Sequence, residues 1–208
     1  NLFQKVFEEL KLRYTRNLDR PESHLSLGIL AENRNQPEQA EKHYRQAVRR
    51  ESTYVPARMN LATLLSRRGR NQEAEKILRE AAELQPTWGQ VHYSLGLLLA
   101  ENRNRLPEAI RSLERASAYW TDNPRVFNNL AIAYWQSDKI DDAINAFLQA
   151  IRLQPDNPEF IQNVVQLLVQ RGRWADALPH ARNMVRLLPE NQQAQAFLAQ
   201  IERNAQGK

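Results

Sequence analysis

Metal binding and acid–base catalysis require imidazoles, thiols or carboxylates held close together, and His24, His43, His92 and His180 are where such chemistry would start. No two of them stand at the i, i+4 spacing that puts a pair of ligands on one helical face, and the chain has no cysteine to complete a site. The carboxylate pairs Glu8/Glu9 and Asp141/Asp142 fall at helix starts or on outward faces, where dipole and solubility roles account for them. No glycine-rich phosphate loop or nucleophile elbow occurs. The sequence therefore predicts no catalytic residue, no metal and no cofactor, and points to binding. Asn60, Asn129 and Asn163 carry amides that complement a peptide group in both directions, and Tyr93 and Trp135 are candidate aromatic anchors.

What must position these residues is an internal repeat. The segments HLSLGIL, RMNLATLL, HYSLGLLL, FNNLAIAY and IQNVVQLL align at a fixed spacing. Downstream of each lies a pattern of alanine, large apolar residue and alanine. It reads Ala40/Tyr44/Ala47, Ala74/Leu78/Ala81, Ala109/Leu113/Ala116 and Ala143/Phe147/Ala150, with a degraded copy Ala177/Ala181/Met184; the first alanines are 34, 35, 34 and 34 residues apart. Apolar residues at unit positions 4, 7, 8 and 11, as in Phe127, Leu130, Ala131 and Tyr134, mark one face of a first helix. The alanine stripe marks a second helix. Small residues such as Gly28, Ala62, Gly96 and Ala131 allow close approach of two backbones. Asn123-Pro124 and Asn157-Pro158 read as helix starts, Pro86, Pro155 and Pro189 as stops, and Gly69 and Gly172 as turns.

This pattern resembles the tetratricopeptide repeat family, over about residues 21 to 191. Units run 21–54, 55–88, 89–123, 124–157 and 158–191, the third one residue longer near Arg103 to Leu106. The resemblance implies an all-α fold, a right-handed α-α superhelical solenoid of helix-turn-helix repeats. The fifth unit departs at Val165, where a small residue is usual, and at Pro179, which predicts a kink or a late start of its second helix. Residues 1–20 are expected to supply a packing or capping helix, with Leu2, Phe3, Val6, Phe7, Leu10 and Tyr14 at helical spacing. Residues 192–208 are expected to form a capping helix with Ala194, Phe197, Leu198 and Ile201 inward, ending in a frayed tail from Ala205.

With positions 4, 7, 8 and 11 buried, the resemblance implies that the remaining face of each first helix lines a concave groove. That groove would include Asn60, Thr63, Arg67, Tyr93, Leu97, Asn128, Asn129, Ile132, Trp135, Asn163 and Gln166. Asn60, Asn129 and Asn163 share position 6 and would form a ladder along it; solvation alone also accounts for asparagine there. Chaperone-binding members grip a C-terminal carboxylate with groove lysines and arginines. Position 5 here holds Leu25, Met59, Tyr93, Asn128 and Gln162, so a chaperone tail is not expected as ligand.

Twenty-nine Lys and Arg against 24 Asp and Glu give a net charge of +5. Arg34, Arg67, Arg68, Arg70, Arg103, Arg105, Arg171 and Arg173 fall in turns that a solenoid would stack along one edge. Such an edge suits an acidic protein, nucleic acid or an anionic surface. Interleaved Glu and Asp favour solvated turns instead, so nucleic acid is not expected. The apolar stretches Leu95 to Ala100 and Ile161 to Val169 are too short or interrupted to span a membrane. The cysteine-free composition fits a cytoplasmic or a periplasmic location. A start at Asn1 fits a processed chain or a piece of a longer one. The leading expectation is a non-enzymatic adaptor for an extended or helical protein segment. Alternatives are binding through the arginine edge, self-assembly through end helices exposing Phe3, Phe7 and Leu10, and the regulatory arm of a larger protein.

Overall fold

A computed structural model describes residues 2–15 and 17–207 of the chain. Among them are twelve α-helices, one 3₁₀ turn and no strand, an all-α helical-repeat solenoid. The chain divides into two compact units, Asn1–Leu98 and Leu99–Lys208. The first holds α1 (Leu2–Thr15), α2 (Pro21–Asn33), α3 (Pro37–Arg50), α4 (Val55–Arg67), α5 (Asn71–Leu84) and most of α6 (Gly89–Ala100). The second holds the 3₁₀ turn Arg103–Arg105, α7 (Leu106–Tyr119), α8 (Pro124–Gln136), α9 (Ile140–Leu153), α10 (Pro158–Gln170), α11 (Trp174–Leu187) and α12 (Gln192–Gln206). The side chains of Phe3 and Phe7, expected at an exposed end, lie outside the described residues, as does Lys208.

Helix ends follow from local chemistry. Asn123, Asn157 and Asn191 cap α8, α10 and α12, each side chain accepting a bond from a backbone N–H of the first turn. Pro21, Pro37, Pro124 and Pro158 open their helices, where a missing N–H costs nothing. Four inner turns close alike: the backbone N–H of Gln36, Arg70, Lys139 and Arg173 donates to Ala31, Leu65, Tyr134 and Leu168, at 2.8–3.0 Å. This turn needs one left-handed residue, supplied by Gly69 (φ 74°), Gly172 (φ 68°), Asn35 (φ 55°) and Asp138 (φ 59°). Glycine has no Cβ to clash there, and Asn and Asp tolerate the region better than most residues. The longer third unit uses the 3₁₀ turn instead, with Asn102 accepting from the Asn104 N–H at 3.0 Å.

The alanine stripes form the seams. Ala40, Tyr44, Ala47, Ala74, Ala81, Ala109, Leu113, Ala116, Ala143, Phe147, Ala150, Ala177 and Ala181 are all 0% exposed. Tyr44 lies directly under Gly28: a Cβ on that glycine would stand 2.3 Å from Tyr44 Cε1. A fully buried Phe147 at the corresponding place in the second unit stabilises by about 2–3 kcal/mol through area alone. The buried sector of the first helices is wider than periodicity predicted. Positions 3 and 10 are buried as well, as Ala57 and Leu64, Val126 and Ala133, and Phe160 and Leu167. Their side chains join the core because these helices are flanked on two sides.

Position 4 holds a second device that the apolar pattern obscured. Arg58 Nη2 donates to the Ser52 carbonyl at 2.8 Å, His92 Nε2 to Pro86 at 2.7 Å, and Gln195 Nε2 to Pro189 at 2.5 Å. Each reaches six residues back and pins the turn before its helix. Gln195 occupies this slot in α12, whose buried Ala194 and Ile201 match positions 3 and 10, so α12 repeats the register of a first helix.

One sequence expectation changes. Pro179 does not delay α11, which starts at Trp174, at the same distance from its partner helix as α5 and α9, and Pro179 is exposed. At the C-terminal end α12 continues past Ala205 to Gln206, with Asn204 Nδ2 donating to the Gln200 carbonyl at 2.9 Å. Val165 sits fully buried in its slot. Among the described residues no helix is long and apolar enough to cross a membrane.

Candidate functional site

The turn arginines are largely consumed by the fold. Arg70, Arg105 and Arg173 each pair with the carboxylate three residues on, Glu73, Glu108 and Asp176, at 2.5–2.8 Å. Arg68 reaches back to Glu38 and Glu41, at 2.9 and 3.3 Å, and Arg171 reaches back to Asp138. Arg67 pairs with Glu32, and Arg34 with Glu8 at 3.7 Å. Burial pushes the Glu41 carboxyl up, but Arg70 and Arg45 outweigh it and hold it below the usual range. Of the eight arginines expected to form a cationic edge, seven are thus neutralised locally. Arg103 makes no ion pair with any described residue.

In the second unit two side-chain bonds join α8 to α10. Asn163 Nδ2 donates to Asn128 Oδ1 at 2.9 Å, and Trp135 Nε1 donates to Gln170 Oε1 at 3.0 Å. Both pairs are 35 residues apart, and the two donors and acceptors on each helix are seven residues apart, so the bonds stack two turns from each other. The Trp135 ring meets Phe147 edge-on, with centroids 6.3 Å apart and planes at 79°. This fixes the indole while its remaining face borders an open cleft of about 560 Å³. Ile132, Trp135, Gln136, Asp138, Asn163 and Gln170 line the cleft together with Arg103 and Arg171. Another cleft, of about 360 Å³, is lined by Gln162 and Gln166 of α10, Met184 of α11 and Phe197 of α12.

The expected groove residues separate accordingly. Ile132, Trp135 and Asn163 meet at the first cleft, and Gln166 belongs to the second. Asn128 is not a groove surface group: it is 3% exposed and serves as the acceptor beneath Asn163. Asn129 is half-buried. In the first unit Asn60 Nδ2 donates to the Pro56 carbonyl at 2.9 Å and Thr63 Oγ1 to Met59 at 2.9 Å, both within α4. Asn60 turns inward to its own helix because the residue in the acceptor slot of the preceding repeat is Leu25, which has no polar atom, where Asn128 serves Asn163. In place of the inter-repeat bond that Asn163 makes to Asn128, Asn60 bonds within its own helix. Arg67 is engaged by Glu32, Tyr93 is half-buried, and Leu97 is 38% exposed.

Gln170 escaped the sequence reading. Its signal was a donor–acceptor pair at period plus one: Glu32 with Arg67 and Trp135 with Gln170 occupy the same two slots. Tyr134 donates its hydroxyl to Glu114 at 2.7 Å, and burial first, then this bond, raises its pKa. Among the described residues no three His, Cys, Asp or Glu side chains are grouped as metal ligands.

Two tetratricopeptide repeat models match the chain, over residues 33–98 and 89–159. The chain matches no curated protein sequence. Among solved structures it is similar to MamA from Desulfovibrio magneticus RS-1, at 19% identity and a TM-score of 0.73, covering 83% of this chain and 97% of that one. It is similar to YrrB, described as a TPR protein with an unusual peptide-binding site, at 17% identity and a TM-score of 0.70 over 94% and 97%. PilF of Pseudomonas aeruginosa matches at 22% identity and a TM-score of 0.70 over 90% and 93%. At these identities the likeness is one of fold. The repeat register, the helix pairing and the two family matches, which together run from residue 33 to 159, lead to one conclusion: the chain belongs to the tetratricopeptide repeat family.

Proposed function

We propose that the protein is a non-enzymatic interaction scaffold that holds an extended segment of a partner protein in the α8/α10 cleft. The observation that carries this is the arrangement around Trp135. An indole locked by Phe147 and Gln170 borders an open cleft whose other walls include Ile132 and the amides of Gln136, Asn163 and Gln170. A rigid aromatic beside donors and acceptors suits a side chain docked next to its own peptide groups. The peptide-binding description of YrrB supports the same ligand class.

On this reading residues 21–191 act as five repeats, 1–20 and 192–208 as flanking helices. Lys and Arg are missing from position 5 of the repeats, which argues against a chaperone tail. The competing reading, a cationic edge for nucleic acid, is weakened by the carboxylates that occupy seven of its eight arginines.

The test is selection from a displayed library of short random peptides with the full chain, compared with Trp135→Ala/Gln136→Ala. The reading predicts enrichment that the double variant loses while its circular dichroism and melting stay cooperative. Enrichment indifferent to both substitutions would refute it.

A further inference from the structure

The one repeat with an inserted residue carries an arginine that the fold itself does not use. In the four repeats of ordinary length, the fifteenth residue is Asn35, Gly69, Asp138 or Gly172, each in the left-handed region. A long side chain is disfavoured in that conformation. In the third repeat the same slot is Arg103, and the extra residue turns the backbone there into a 3₁₀ turn that lacks the left-handed residue. The insertion thus permits an arginine where the other repeats have none.

The usual duties of turn arginines do not fall to Arg103. The i, i+3 pair of this turn is made by Arg105 and Glu108, at 2.8 Å. Arg103 is exposed, has no ion pair among the described residues, and borders the cleft that holds Trp135 and Asn163. Asp138, the cleft's carboxylate, is committed to Arg171, so those two charges cancel and Arg103 leaves the lining with a net charge of +1. An unneutralised guanidinium beside an aromatic wall favours an anionic partner group and can take it through two parallel hydrogen bonds.

We infer that the segment bound in this cleft presents a side-chain carboxylate, Asp or Glu, to Arg103, beside an apolar residue that covers Trp135 and Ile132. This rests on the reading of the cleft as a peptide site and specifies the ligand's chemistry. An acidic polypeptide is favoured over nucleic acid because, apart from the Asp138–Arg171 ion pair, the other polar walls are amides that match peptide groups. Polyphosphate binding, by contrast, draws on several free cations.

The experiment uses the full chain and a displayed peptide library, followed by synthetic peptides amidated at the C-terminus so that no terminal carboxylate is present. The protein should enrich Asp or Glu at a fixed spacing from a large apolar residue. Arg103→Glu should shift that position to Lys or Arg, and Arg103→Gln should weaken the best amidated peptide by about tenfold, as for loss of one charge-assisted bond in a partly open site. Enriched peptides without an acid, or an unchanged preference in Arg103→Glu, would overturn the inference and leave the cleft reading standing. No enrichment at all, or enrichment insensitive to Trp135→Ala/Gln136→Ala, would overturn both. Arg103-dependent binding of a single-stranded oligonucleotide, with no enriched acidic peptide, would assign the arginine to nucleic acid instead.

Discussion

Asn163 donates its side-chain amide to Asn128 at 2.9 Å, and Asn128 is buried to 3% exposure beneath it. This bond ties α8 to α10 at the base of the cleft, and its energetic signature should differ sharply from that of Asn60, which satisfies itself on its own helix. Asn128→Ala removes an inter-helix bond whose donor, Asn163, can still reach solvent in the cleft, and should destabilise the protein by about 1 kcal/mol in urea unfolding. Asn60→Ala should stay within about 0.5 kcal/mol. Equal effects at both sites would contradict the assignment.

Gly28 should tolerate no side chain. A Cβ there would stand 2.3 Å from a Tyr44 ring that is fully buried and cannot swing away. Gly28→Ala is expected to cost about 1–3 kcal/mol through overpacking. Combining it with Tyr44→Leu should give a smaller loss than the sum of the two single changes, read as a coupling in a double-mutant cycle. Strict additivity would mean the two residues do not share the seam.

Acid should weaken the first unit before carboxylates protonate. His24 and His43 face each other with Nδ1 atoms 3.2 Å apart. Burial, then Arg50 for His24 and His24 and Lys42 for His43, pushes both pKa values below the usual imidazole range. The charged form is therefore disfavoured in the folded state, and the unfolded chain binds more protons below about pH 6.5. Stability should be level above that pH and fall as pH drops towards about 5. Burial lowers His180 as well, so His43→Gln should reduce the slope rather than abolish it. A melting temperature that rises on acidification would contradict this.

The turn edge should be a poor polyanion site. Because seven of eight arginines already hold carboxylates, binding to single-stranded DNA at near-physiological salt should be weak. Tight binding with a steep salt dependence, measured by fluorescence anisotropy, would contradict the pairing.

Much of this architecture was legible because alanine, large residue, alanine recurs at one period and each copy must bury the same seam. The Ala143/Phe147/Ala150 stripe and the Gly69 and Gly172 turns could be read from residue type alone. The site was less legible, since groove membership was inferred from what a single-helix pattern left over. Asn128 looked exposed by that logic because a helix's second flank, visible at Val126 and Ala133, leaves no mark in a one-stripe pattern. Arg103 was grouped with its neighbours for the same reason. Nothing in its residue type distinguishes it from Arg105; the difference is that Glu108 stands three residues after one and not after the other.

The central claim is that the α8/α10 cleft, rather than the outer face of the second unit, receives the partner segment. A photoreactive phenylalanine analogue carried by a peptide enriched from the display library, with its crosslinks mapped on the unaltered protein, compares the cleft walls with exposed α9 positions such as Gln149 directly. Crosslinks should fall on α8 and α10 residues of the cleft, be lost on competition with unlabelled peptide, and be absent from α9. Crosslinks on the exposed face of α9 alone, or equal yields at both places, would contradict the central claim.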